Sequence, residues 1–142
     1  MQLQVMHTLV FGVSQTTGNP APVVFNADAL TTQQMQAIAA HFGQETVFVL
    51  KPLEPAADIR LRYFVPRHEM EMCVHATVAT ITVLVRRHFL DKSPAHVETA
   101  LGIIDAHWQP TTKEQILVMA EQFPPTWALP KNYFSVLSAF CS

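Results

Sequence analysis

Charge is scarce in this chain: only 14% of its 142 residues are Asp, Glu, Lys or Arg, and the formal net charge is −2. With no basic excess there is no electrostatic case for nucleic acid or for an anionic membrane surface. Glycine occurs four times and cysteine twice, which excludes a collagen-like repeat and a disulfide-stapled scaffold. The two cysteines, Cys73 and Cys141, lie far apart, and neither belongs to a CxxC or Cys/His spacing typical of zinc. They read as reduced thiols of a cytoplasmic protein. His7, His41, His68, His88, His96 and His107 also lack ligand spacing, so the sequence points to no metal. Long hydrophobic runs are missing as well. The greasiest stretch, Ala76 to Val85, is closed by Arg86-Arg87 and is about half of the ~20 residues that a spanning helix needs. The opening MQLQVMHTLV has neither a basic leader nor a small-residue cleavage site, so it does not read as a secretory signal.

What is present is apolar. Hydrophobic residues make up 49% of the chain and mean hydropathy is +0.19, a composition incompatible with disorder. The length suits one domain. A small domain this apolar either hides a large core or docks an apolar face on something else.

The pattern along the chain predicts mixed elements. Leu3, Val5 and Thr8 to Phe11 suggest an opening strand, followed by a polar turn from Ser14 to Pro20 and a short β run, Pro22 to Phe25. Thr31 and Gln34 have capping-box spacing, and Met35, Ile38, Ala39 and Phe42 follow at helical spacing up to Gly43, where a C-cap glycine belongs. Thr46 to Lys51 reads as a buried strand. Ile59, Leu61, Tyr63 and Val65 alternate with Arg60, Arg62 and Phe64 as a half-wet strand that Pro66 stops. The segment from Cys73 through about Phe89 is apolar on nearly every side, the mark of a buried helix. Strands are expected again at His96 to Ala100, Ile103 to Trp108 and Gln115 to Ala120. A Pro-containing linker follows from Phe123, and a short amphipathic piece, Asn132 to Phe140, closes the sequence.

Three features could carry chemistry. Glu45 follows Gly43 at the lip of a buried strand, where a part-buried carboxylate suits general acid/base work; a solvated loop glutamate has the same spacing. Cys73-Val74-His75 stands at the mouth of the buried helix, whose free N–H groups favour anions and lower the pKa of a nearby thiol; a buried Cys beside a backbone-satisfied His would look alike. Gly18-Asn19-Pro20 is a turn able to present an amide to a ligand.

These features occur in one order. The run Gly18-Asn19-Pro20-Ala21-Pro22-Val23-Val24, then Met35 to Ala39, Glu45-Thr46-Val47-Phe48-Val49, Ile59 to Pro66 and Cys73-Val74-His75-Ala76-Thr77-Val78-Ala79 resembles the PhzF family of phenazine-biosynthesis-like isomerases. That family is related in fold to diaminopimelate epimerase and proline racemase. The resemblance runs from about Met6 to Trp127 and covers the first of the family's two pseudo-symmetric halves. It implies an α+β fold: a β-barrel-like mixed sheet wrapped around a central buried helix. On this reading residues 1–127 form the N-terminal domain, and 128–142 are a linker leading toward a second half.

The resemblance also implies roles. Glu45 matches the glutamate that removes a proton from carbon and returns it elsewhere. His75 matches a substrate-contacting histidine that assists the shift, and Cys73 falls where the epimerase and racemase relatives place a thiol. Gly18, Asn19, Val74, Ala76 and Thr77 fall at substrate-binding positions. Cofactor and metal are not used in such chemistry, and the implied substrate is a small carboxylic acid. Val74 stands where the family has glycine, Gln44 where it has serine, and Leu9 where an acidic residue is usual. With one half present, the face that the other half covers is expected to pair with a second copy as a homodimer. The alternative is an inactive or truncated half that acts as a structural or interaction module.

Overall fold

In the computed structural model of the chain, residues 3–10, 19–110, 116–121 and 134–141 are described. Gly18, the proline-bearing stretch 123–130 and the side chains of Leu9 and Asn19 lie outside the described residues.

Strands β1 (Gln4–Val10) and β2 (Asn19–Phe25) lead to α1 (Thr32–Phe42), then β3 (Thr46–Leu50), β4 (Ile59–Phe64) and the short β5 (Glu69–Met70). Helix α2 (Val74–Arg86) follows, and then β6 (Ala95–Thr99), β7 (Gly102–Pro110), β8 (Ile116–Glu121) and β9 (Phe134–Cys141). The strands form a single mixed sheet in the order β3-β2-β1-β9-β8-β7-β6-β4-β5, with β3 also paired to β4. The expected barrel-like wrap is met only in part, because the sheet is not a regular closed barrel. Where it curves back, at β2–β3 and at β4–β6, the ladders are parallel and only two register pairs long. The other ladders are antiparallel and carry the length.

Strand alternation decides what each face covers. On β2, Ala21, Val23 and Phe25 point into the cluster around α2, while Val24 points the other way onto α1. Val47 and Phe48 on β3 divide in the same manner, as do Tyr63 and Phe64 on β4. A sheet covered on both faces needs near-continuous apolar strands, and this is why Pro22-Val23-Val24-Phe25 shows no polar alternation. The ring of Phe64 meets Phe48 edge-on at 5.3 Å beneath α1.

The capping box of α1 forms as the sequence predicts. Thr31 Oγ1 accepts from the Gln34 amide at 3.1 Å, and Gln34 Oε1 accepts from the Thr31 amide at 2.9 Å. Helix α2 is buried along its length from Ala76 to Leu84. It carries three threonines in the core because Thr77, Thr80 and Thr82 each donate to the carbonyl four residues back, at 2.7–2.8 Å.

One boundary departs from expectation, and one segment left without a conformation gains one. Helix α2 stops at Arg86 rather than near Phe89: His88 adopts a left-handed φ of 61° and turns the chain, so that Leu90 packs into the core while Phe89 lies outside. The closing amphipathic piece is a strand. Residues 134–141 pair with both β1 and β8, partners that local periodicity does not reveal.

Candidate active site

The site begins where α1 ends. Gly43 takes the left-handed conformation (φ 64°) that closes the helix, and its amide donates to the carbonyls of Ala39 and Ala40. Gln44 and Glu45 span the gap to β3, and Thr46 Oγ1 donates to the Gln44 carbonyl at 3.1 Å. The turn thus lifts Glu45 to the rim of the sheet. The opposite side is the first turn of α2. Cys73 precedes the helix in extended backbone (φ −141°, ψ 117°). Its carbonyl accepts from both the amide and the hydroxyl of Thr77, at 3.0 and 2.8 Å. Tyr63 on β4 in turn donates to Thr77 Oγ1 at 2.7 Å, since the Thr77 proton is already committed to Cys73.

These two scaffolds bring three predicted residues together. Nε2 of His75 lies 2.6 Å from Oε2 of Glu45. Sγ of Cys73 lies 3.3 Å from the same carboxylate oxygen and 3.2 Å from Nδ1 of His75. With Glu45 ionised, Nε2–H donates to it, and the single thiol proton has two acceptors within reach. The Glu45 side chain retains 36% exposure and His75 17%, whereas Cys73 is buried. A cavity of about 370 Å³ opens beside them, lined by Pro20, Gly43, Gln44, Glu45 and His75.

The thiol does not behave as its place at a helix start suggests. Burial pushes it up to about 12 from the ordinary 9.0. The amides of Ala76 and His75 act in the opposite sense, while the Glu45 charge adds to the rise. At neutral pH Cys73 is therefore a protonated hydrogen-bond donor rather than a thiolate.

The remaining expected residues divide. Val74 is half-buried and packs against the main core beside the site. Ala76 and Thr77 face inward at 1% and 0% exposure and do not line the cavity. Thr77 has its amide and hydroxyl both engaged, so it supports Cys73 from beneath. Gly18 lies outside the described residues, and Asn19 is described only as the first residue of β2. Pro20, the last residue of the Gly18-Asn19-Pro20 turn, does line the cavity. Gly43 lines it too, although the sequence marked it only as a helix cap; its signal was adjacency to Glu45. The donor atoms of Glu45, Cys73 and His75 lie within 4.8 Å of one another and could hold a metal ion, a grouping hidden in the sequence because its members come from two elements.

The mixed sheet, the central helix and this rim define one half of a diaminopimelate epimerase-like α+β fold. The crystal structure described as "probable proline racemase" from Agrobacterium radiobacter shares that architecture, with TM-score 0.62 over 83% of this chain at 12% identity. The family profile described as "Phenazine biosynthesis-like protein" matches residues 9–133, and the chain belongs to this family, PhzF. It is 39% identical over 105 residues to "Uncharacterized isomerase YfhB" of Bacillus subtilis, a match covering 72% of this chain and 35% of YfhB. It is 32% identical over 118 residues to the trans-2,3-dihydro-3-hydroxyanthranilate isomerase of Pseudomonas chlororaphis, covering 82% of this chain and 41% of that enzyme. The crystal structure of the Bacillus anthracis PhzF-family phenazine biosynthesis protein superposes with TM-score 0.75 at 37% identity, over 84% of this chain and 40% of that one. The chain thus spans well under half the length of these relatives and corresponds to their N-terminal part. Among the described residues no helix is long and apolar enough to cross a membrane.

Proposed function

We propose that this chain carries one wall of a cofactor-independent isomerase that moves a proton on a small carboxylic acid. Glu45 takes the proton from a substrate carbon and returns it at another position. His75 orients the carboxylate through Nε2 and assists the transfer, and Cys73 supplies a thiol hydrogen bond from below. The single observation behind this reading is the 2.6 Å contact between Glu45 and His75 at the mouth of an open cavity. The names of the relatives agree with it: YfhB is called an isomerase, and the Pseudomonas enzyme is named for a cyclic carboxylate that bears an amino group. A compound of that class is the first substrate to try. The cytoplasm, where a thiol stays reduced, is the compartment that suits the site.

One wall leaves the cavity open to solvent on its far side, and a two-sided proton transfer needs a second. In this proposal a second copy of the chain supplies it across a two-fold axis, which sedimentation at micromolar concentration tests: a monomer rejects the homodimer. The chemistry is tested by deuterium wash-in from heavy water into a panel of small cyclic carboxylic acids. Wild-type protein should exchange a carbon-bound proton and Glu45→Gln should not. Equal wash-in by the variant rejects Glu45 as the base. The second reading, an inactive half serving as an interaction module, is favoured by Val74, whose branched side chain packs at the site where the family has glycine. Absence of exchange in every wild-type sample supports that reading.

A further inference from the structure

We propose that Glu45, Cys73 and His75 form a binding site for a zinc-class divalent transition metal, and that the ion acts there as an inhibitor. The inhibitory consequence rests on the isomerase reading above, whereas the binding does not.

The donor set is one sulfur, one imidazole nitrogen and one carboxylate oxygen, drawn from the α1–β3 turn and the start of α2. Mixed donors of this softness select zinc-class ions over magnesium or calcium, which take oxygen alone. The spacing is close to what a tetrahedral ion requires. Zinc bond lengths place neighbouring ligand atoms about 3.4–3.6 Å apart. Here Sγ of Cys73 is 3.3 Å from Oε2 of Glu45 and 3.9 Å from Nε2 of His75. The Nε2–Oε2 pair, at 2.6 Å, must open most, by about 0.8 Å on the same bond lengths, as the ion replaces the hydrogen bond between them, while the two sulfur distances each adjust by about 0.3 Å. Glu45 and His75 both retain exposure, so this adjustment falls on side chains rather than on the core. The fourth position faces the cavity of about 370 Å³ and is left to water.

The protons balance simply. The ion binds the Cys73 sulfur as thiolate, and the thiol proton leaves to solvent. His75 moves its own proton from Nε2 to Nδ1 and offers the Nε2 lone pair. Glu45 binds as carboxylate, and the oxygen needed for proton abstraction is then occupied.

Cobalt(II) is the probe, because a bound thiolate gives it a near-ultraviolet charge-transfer band. The full chain, reduced and freed of chelator, is titrated with Co²⁺, and Zn²⁺ is then added to displace it. The expected result is one Co²⁺ per chain with a thiolate band that Zn²⁺ abolishes. Cys73→Ser should lose the band and weaken binding at least about tenfold, a loss already typical of removing a supporting partner alone. His75→Gln, at a less buried position, should weaken binding to a similar degree while the band of any bound ion persists. Cys141→Ser should change nothing. A band that survives Cys73→Ser and vanishes in Cys141→Ser overturns the site, as does failure of Co²⁺ to bind the wild type. Where deuterium exchange is measurable, Zn²⁺ should stop it and EDTA should restore it. Exchange that continues with Zn²⁺ bound overturns the inhibitory role and leaves the binding result standing. Absence of exchange from every sample counts against the isomerase reading and leaves the cobalt spectrum to decide the site.

Discussion

Oε2 of Glu45 receives both Nε2 of His75, at 2.6 Å, and Sγ of Cys73, at 3.3 Å. One carboxylate oxygen thus joins the end of α1 to the start of α2, and the ionisation of the thiol depends on the charge of its neighbour.

The first prediction concerns that dependence. Burial is the largest cause of the raised Cys73 pKa, and the Glu45 charge adds to it. Glu45→Gln removes the charge and keeps the shape, so the thiol should ionise more readily. Alkylation of Cys73 by iodoacetamide near pH 9, in EDTA and followed on the Cys73 peptide by mass spectrometry, should accelerate by about tenfold, the effect of one nearby charge on thiolate fraction. An unchanged rate would mean that the thiol does not sense the carboxylate.

Alkaline pH should weaken the fold through two buried acids. Cys73 ionises near 9.0 when exposed and is pushed up to about 12 in the fold. Between those values the unfolded chain releases a proton that the folded chain keeps. Its stabilising contribution is therefore whole below about pH 9 and declines as pH climbs toward 12. Tyr63 is raised above its ordinary 10.0, mainly by burial, and adds to the decline from about pH 10. Each group contributes at most about 1.4 kcal/mol per pH unit within its window. Urea midpoints at pH 7, 9, 10 and 11 should fall only above pH 9. Cys73→Ser should flatten the first part of the fall and Tyr63→Phe the later part. A midpoint that drops equally in all three proteins would refute the assignment.

Local signals carried much of this structure. The capping box at Thr31 and Gln34, the C-cap at Gly43 and the all-round apolar helix from Val74 are written in short-range spacing and appear where expected. Local position made Glu45 and His75 candidates and left the ordinary readings of both open; a family resemblance tied them together. Non-local pairing was less legible. The place of β9 depends on β1, near the opposite end of the sequence, as well as on the preceding β8, and the short parallel seams that leave the sheet short of a regular barrel join strands with a helix between them in the chain. The state of the thiol was open for the same reason. A helix start lowers a thiol pKa and burial raises it; burial wins here, and the Glu45 carboxylate that adds to the rise comes from the α1–β3 turn, distant in sequence.

Beneath the site, Tyr63, Thr77 and the Cys73 carbonyl form a buried relay whose members differ in replaceability. Tyr63→Phe removes a donor and leaves Thr77 still bonded to Cys73, so the cost should be about 1 kcal/mol. Thr77→Val removes the middle of the relay and strands the Tyr63 hydroxyl in the core, at about 2–3 kcal/mol. Denaturant unfolding of the two variants gives the order. Equal costs, or a costlier Tyr63→Phe, would mean that the proton runs in the other direction along the chain of bonds.

The two ends of α1 offer a final contrast between stability and site geometry. Thr31→Ala breaks the capping box at the end remote from Glu45 and should cost about 1 kcal/mol of unfolding free energy. Gly43→Ala should cost a similar amount for a different reason: an added Cβ meets nothing within 4 Å, so the penalty is that of a left-handed φ of 64°, about 1–2 kcal/mol. Only Gly43 leads directly into the turn carrying Glu45, and relief of its strain would move the carboxylate away from Cys73. The alkylation rate of Cys73 reports that movement. Thr31→Ala should leave the rate as in the wild type, Gly43→Ala should raise it, and Gly43→Asn, which tolerates the left-handed region, should return it most of the way. If Gly43→Ala and Thr31→Ala lower stability equally with no difference in alkylation, the turn does not hold Glu45 against the thiol.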